Sequence, residues 1–437
     1  MIASTFREVW LPLDLSFKLY WQNLGLLLLI AALGLIANDL LLMAAVEAGF
    51  TNKLAGLLML SLVVVAKLTV VVALFQVLRP SLSTIESLRS ARAVNPASAT
   101  SSEGESFIGT IAVALLPFFA YYAAWGFLGD SIRDYSRLSL DRDPFGEHGN
   151  LLQLSEASWV FAAIALSWLV RRMAKLLQAK SSRSIWHFVV ILCDASWAFI
   201  GLYVLTRWKE KIWSWIGEGG PLPYLHKFMA ALIDPLATAH AATANIPVEL
   251  APMPPGLMLQ NLFFYALLPL VWLVMAAIIY GYDLNPQQQA LPVRAQRVAT
   301  RYNKLPKWLR DFINHFVGGY RLRYLPVVNS VRLAFSASLP LLLTLIVAYR
   351  AIGWLAAWAW LGSARLIGPH ELLAWQPIAS AISVLLGPPA ELAGGILVDP
   401  LRICLLAAVM ECATASAVLK SAAGTSNSAD GPQADSA

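Results

Sequence analysis

The chain has 437 residues, of which 58% are hydrophobic and 13% charged, with a mean hydropathy of +0.63 and a formal net charge of +6. A soluble domain carries roughly a quarter charged residues, so this composition excludes an assembly of soluble domains. The positive balance does not call for nucleic acid, because basic residues crowd the cytoplasmic loops of membrane proteins.

A helix needs about 20 mostly apolar residues to cross the ~30 Å hydrocarbon core. Runs at 22–47, 54–78, 107–128, 158–178, 186–206 and 258–281 meet that requirement. Two more, 337–361 and 399–419, meet it despite an arginine or a nearby proline. The expected fold is all-α, a polytopic bundle of about eight spans, forming one membrane domain over 1–420. The stretch 372–387 contains Pro377 and is only marginally long, which favours a re-entrant or interfacial segment over a further span.

The chain opens with Arg7, Glu8, Asp14 and Lys18 among large apolar residues. The first apolar run exceeds a signal-peptide core, so it is expected to be retained as a span. At the other end, 421–437 is rich in Ser, Ala, Gly and Asp with no large apolar side chain, and is expected to be a disordered cytoplasmic tail.

Loop charges predict the orientation. Arg171, Arg172, Lys175, Lys180 and Arg183, at and beyond the end of the fourth run, have no acid among them, and the 283–333 loop holds nine bases against two acids. Both are expected to face the cytoplasm. The 129–157 segment carries three bases and six acids, placing it outside together with 207–250 and 362–398. These assignments agree when both termini are cytoplasmic, in an inner or plasma membrane.

Two lead-ins to spans share a register. Trp10 to Asn23 reads W-LPLDLSFKLYWQN and Tyr324 to Ala337 reads Y-LPVVNSVRLAFSA, each with an aromatic, Leu-Pro, a serine (Ser16, Ser330) and a base followed by leucine (Lys18, Arg332). Both read as amphipathic helices at the inner surface. They suggest a parallel repeat relating spans 1–2 to spans 7–8, unless every cytoplasmic approach to a span looks alike. The aromatic-rich 207–250 segment suits a helix in the outer interface.

Charged side chains inside spans cost ~2.5 to 3.5 kcal/mol on insertion scales and are candidates for function. Five stand out: Asp39, Lys67, Asp194, Arg350 and Glu411. Asp39 and Lys67 occupy adjacent antiparallel runs and are expected to form an ion pair; Arg350 and Glu411 are placed to neutralise each other across the last two spans. The three cysteines and six histidines show no ligand spacing, so no metal is expected. No nucleotide or dinucleotide loop and no hydrolase elbow is present, so no cofactor and no catalytic residue is assigned.

In the basic loop, Lys307, Trp308, Arg310, Phe312, Ile313 and Phe316 fall at helical spacing. This pattern fits a surface that attracts anionic lipid head groups or docks a protein partner. The expectation is a non-enzymatic transporter or flippase-like subunit, or a scaffold component of a membrane complex. The alternative is a membrane-embedded enzyme acting on a lipid or isoprenoid, with Asp130, Asp134, Asp141, Asp143, Glu147 and His148 as its nearest approach to an acidic site.

Overall fold

Hydrocarbon offers no partner to a backbone amide, so a chain this apolar must satisfy its amides internally. In the computed structural model, all regular structure among the described residues is helical. The described residues are 2–93, 127–145, 255–280, 338–388 and 394–429, with scattered positions in 107–119, 169–176 and 189–200.

The helices are α1 (Ile2–Gln22), α2 (Leu24–Thr51), α3 (Lys53–Leu78), α4 (Ser83–Ala93), α5 (Phe127–Arg142), α6 (Pro255–Ile279), α7 (Leu339–Ile367), α8 (Leu372–Leu386) and α9 (Val398–Ala429). Five of them, α2, α3, α6, α7 and α9, are long and apolar enough to cross a membrane. The expected runs 158–178, 186–206 and most of 107–128 fall largely outside the described residues. So do the 283–333 loop, its Lys307 to Phe316 segment, the 207–250 segment and the second lead-in at 324–337.

Helices α2 and α3 form a tight antiparallel hairpin turned by one residue. The Asn52 amide bonds the Ala48 carbonyl at 2.8 Å to close α2, and its Oδ1 accepts from Leu54 N at 2.9 Å to open α3. Small residues allow the close approach that membrane helices need for dispersion contact. A Cβ on Gly34 would lie 2.6 Å from Val70 Cγ2. At the open end Asn23 interrupts the helical path from α1, its Nδ2 bonding Leu19 O at 3.0 Å and reaching Ser81 Oγ at 3.5 Å.

The lead-in expected at the inner surface is part of α1, which packs along α9 and α7 and buries Leu19 completely. Tyr20 donates to Leu397 O at 3.3 Å, joining residues that the loop charges place on opposite sides. The reason lies in the second half of the chain. Helix α8 returns along the second half of α7, with Trp360 Nε1 bonding Ser383 Oγ at 3.1 Å. Its 15 residues extend ~22 Å, short of a crossing. The chain turns at Gly387 (φ 87°), and Ile396 N and Leu397 N bond Val384 O and Leu385 O at 2.9 and 3.1 Å. Helix α9 therefore starts opposite the middle of α7, where Arg402 lies over the Tyr349 ring at 5.2 Å and against Gly353. The last residues of the expected outer segment 362–398 are at mid-height of α7, not beyond its end.

The two span pairs linked by the shared lead-in thus differ: α2 and α3 are joined by one residue, α7 and α9 by a helix and a folded-back turn. At the carboxyl end α9 runs on to Ala429, nine residues into the stretch expected as a tail. Extending an existing helix avoids the cost of nucleation, and the alanines there favour it.

Candidate functional site

The intramembrane polar groups define the candidate site, and each is placed by a specific local feature. Pro269 lies inside α6. Proline has no N–H, so the carbonyl four residues earlier loses its helical partner, and that carbonyl belongs to Tyr265. Arg350 on α7 supplies the replacement: its Nε and Nη2 donate to Tyr265 O at 3.0 and 2.7 Å, and its guanidinium sits 4.7 Å from the centroid of the Tyr265 ring. A charged donor on a carbonyl makes a strong bond in a medium without water.

Glu411 performs the complementary task for a helix N-terminus. Leu82, in the extended conformation before α4, has no side chain able to cap. The Glu411 carboxylate, on the largely enclosed α9, accepts from Thr84 N at 2.5 Å, Ile85 N at 3.2 Å and Ser83 Oγ at 3.2 Å. It satisfies orphan amides and faces the positive end of the α4 dipole. The expected Arg350 to Glu411 neutralisation is therefore replaced by two separate joints, because each charge finds unsatisfied backbone closer at hand.

The expected Asp39 to Lys67 pair is likewise replaced. Lys67 Nζ donates to Ser131 Oγ on α5 at 3.1 Å, whereas Asp39 lies on the exposed face of α2 and accepts from Asn38 Nδ2 at 3.3 Å. The two residues point to different sides of the hairpin. Asp194 is buried and not free of interaction, and two residues on Ser196 Oγ meets Ser61 Oγ of α3 at 3.1 Å.

Helix α5 comes from the segment expected to be a solvated outer loop. It carries Asp130, Asp134 and Asp141, yet one face lies on the α2–α3 hairpin and Tyr135 is 1% exposed. The Tyr135 hydroxyl lies over Gly56 beside Gly49, without a hydrogen-bond partner among the described residues. Burial pushes its pKa up to about 12. At the rim Arg142 approaches Glu47 at 3.8 Å, a solvent-exposed pair. Among the described residues no three His, Cys, Asp or Glu side chains converge as metal ligands.

A further polar joint escaped the sequence reading. Asp399 Oδ1 accepts from Gly394 N at 2.9 Å and from Arg402 Nη1 at 3.4 Å, pinning the turn that opens α9. The i, i+3 spacing of Asp399 and Arg402 was its only signal. Beside it α1, α7 and α9 line an open apolar cavity of about 760 Å³ whose polar lining is limited to Ser16 and Thr344.

Compared with protein-family models, curated proteins and solved structures, the chain matches none. The contacts themselves therefore carry the functional reading.

Proposed function

We propose that this chain is a non-catalytic structural subunit of a membrane complex, embedded in an inner or plasma membrane with both termini cytoplasmic. The carrying observation is the use made of its deep charges. Lys67, Arg350 and Glu411 each bind a hydroxyl or backbone group of another helix, and the described cavity beside α9 is apolar. Charges spent on locking helices together suit a scaffold better than a polar conduit, which needs side chains free to exchange partners. On this reading Lys307, Trp308, Arg310, Phe312 and Phe316 hold the cytoplasmic face against anionic lipid.

Purification in mild detergent tests the proposal: a partner protein at fixed stoichiometry is expected, and a chain that always isolates alone overturns it. A flippase-like role has one observation in its favour, the apolar cavity between α1, α7 and α9, a size suited to an acyl chain. If Leu343→Trp, which narrows that cavity, removes a copurified lipid and the activity of the complex together, the flippase reading displaces the scaffold.

A further inference from the structure

Among the buried hydroxyls of the bundle, Ser61, Ser196, Thr344 and Thr414 each donate to a carbonyl three or four residues earlier in the chain, at 2.6 to 2.8 Å. That bond is how a helix satisfies a hydroxyl away from water. Ser16 on α1 departs from it. It is 5% exposed and makes no hydrogen bond to any described residue. Its side chain lines the cavity between α1, α7 and α9, where the other polar group, Thr344, donates its proton to Pro340 O. The cavity thus presents one free donor in a wall that is otherwise apolar. A buried hydroxyl without a partner is destabilising, so the occupant that suits this cavity brings an acceptor.

Water fits poorly, since a buried water makes about three hydrogen bonds and the lining offers two hydroxyls in about 760 Å³. The shape favours a chain. The α7 wall runs from Leu339 to Leu355, ~24 Å along the helix, more than the ~15 Å that the chains of one leaflet occupy. The open side is rimmed by Phe17, Leu343, Val347 and Leu355, each more than half exposed, so an apolar molecule enters from the hydrocarbon without passing a polar group. An acyl chain fills the length, and its ester carbonyl accepts a hydrogen bond while adding no donor that must be buried.

We propose that this cavity holds one acyl chain of a membrane glycerolipid, with the ester carbonyl accepting from the Ser16 hydroxyl. The claim is binding alone. It goes beyond the scaffold reading, and it requires no movement of lipid across the bilayer, which separates it from a flippase.

The test uses the full chain in phosphatidylcholine vesicles containing a photoactivatable diacyl phosphatidylcholine or its dialkyl ether analogue, which keeps the chains and lacks the carbonyls. After illumination, mass spectrometry reads the labelling of peptides that carry Val9 to Phe17 and Leu339 to Leu355. The ester probe is expected to label them about threefold to tenfold more than the ether probe, the factor of one hydrogen bond. Ser16→Ala is expected to lower the ester to the level of the ether, and Ser16→Thr to keep the preference. Leu343→Trp, which narrows the cavity, is expected to reduce labelling by both; should it fold poorly, the two Ser16 variants carry the test. Equal labelling by the two probes, as contact with surrounding lipid alone gives, overturns the proposal. So does labelling by neither, the result if another part of the chain or a second copy fills the cavity, and so does an ester preference that persists in Ser16→Ala. A stoichiometric partner without the ester preference removes the lipid site and leaves the scaffold; the ester preference in a chain that always isolates alone does the reverse.

Discussion

Arg350 answers a vacancy that Pro269 creates on a different helix, donating twice to the Tyr265 carbonyl that the proline leaves without its amide. The relationship predicts thermodynamic coupling. Arg350→Met is expected to destabilise the protein by about 1 to 3 kcal/mol, the cost of a carbonyl left unsatisfied where hydrocarbon offers no partner. In a Pro269→Ala background α6 regains its own hydrogen bond, and the same arginine substitution is expected to cost less. A double-mutant cycle on denaturant unfolding in detergent measures the difference; strict additivity would show that the two residues act independently.

Glu411 makes a graded series. Gln retains one acceptor oxygen and loses the charge facing the α4 N-terminus, an expected loss of about 1 kcal/mol. Leu leaves the Thr84 and Ile85 amides without this partner, an expected loss of about 2 to 4 kcal/mol. Hydrogen exchange at the first turn of α4 is expected to accelerate in the same order, and unchanged exchange in Glu411→Leu would remove the capping role.

Gly56 admits α5 to the hairpin. A Cβ there meets Tyr135 Oη at 2.5 Å and Gly49 Cα at 2.7 Å, so Gly56→Ala is expected to cost about 1 to 3 kcal/mol by overpacking. Tyr135→Phe removes the hydroxyl in the way and deletes a buried group that lacks a hydrogen-bond partner among the described residues. The pair Gly56→Ala, Tyr135→Phe is therefore expected to recover part of the loss on thermal unfolding.

The same tyrosine carries a pH signature. Its folded-state pKa of about 12 lies above the unfolded value near 10, so the folded state holds the proton more tightly. The resulting stability is complete below about pH 10 and is lost as pH rises through about 12. Tyr135→Phe is expected to flatten the difference in melting temperature between pH 8 and pH 11 relative to the parent chain.

Helices α2, α3, α6, α7 and α9 were legible in the sequence because their apolar runs are long and nearly free of charge. So was the shortness of 372–387. The partners of the charges were not. Sequence neighbourhood suggested Asp39 with Lys67 and Arg350 with Glu411, yet the deciding features were a proline four residues after Tyr265 and a leucine where α4 needed a cap. Both are deficits of backbone bonding, visible locally, whose remedy comes from elsewhere in the fold. Helix α5 was obscured by its charge, since the acids and bases along one face concealed Ser131 and Tyr135 on the other. The outward face of α2 was hidden in a run where nearly every residue is apolar, and only exposure separates its two faces.

The account turns on Lys67, Arg350 and Glu411 being joints between helices, whereas Asp39 faces outward. Thermal unfolding of the purified chain, comparing Arg350→Met and Glu411→Leu with Asp39→Asn, tests this most directly. The account predicts lowered melting temperatures for the first two and an unchanged one for Asp39→Asn. Unchanged stability in Arg350→Met and Glu411→Leu, with a loss in Asp39→Asn, would contradict it.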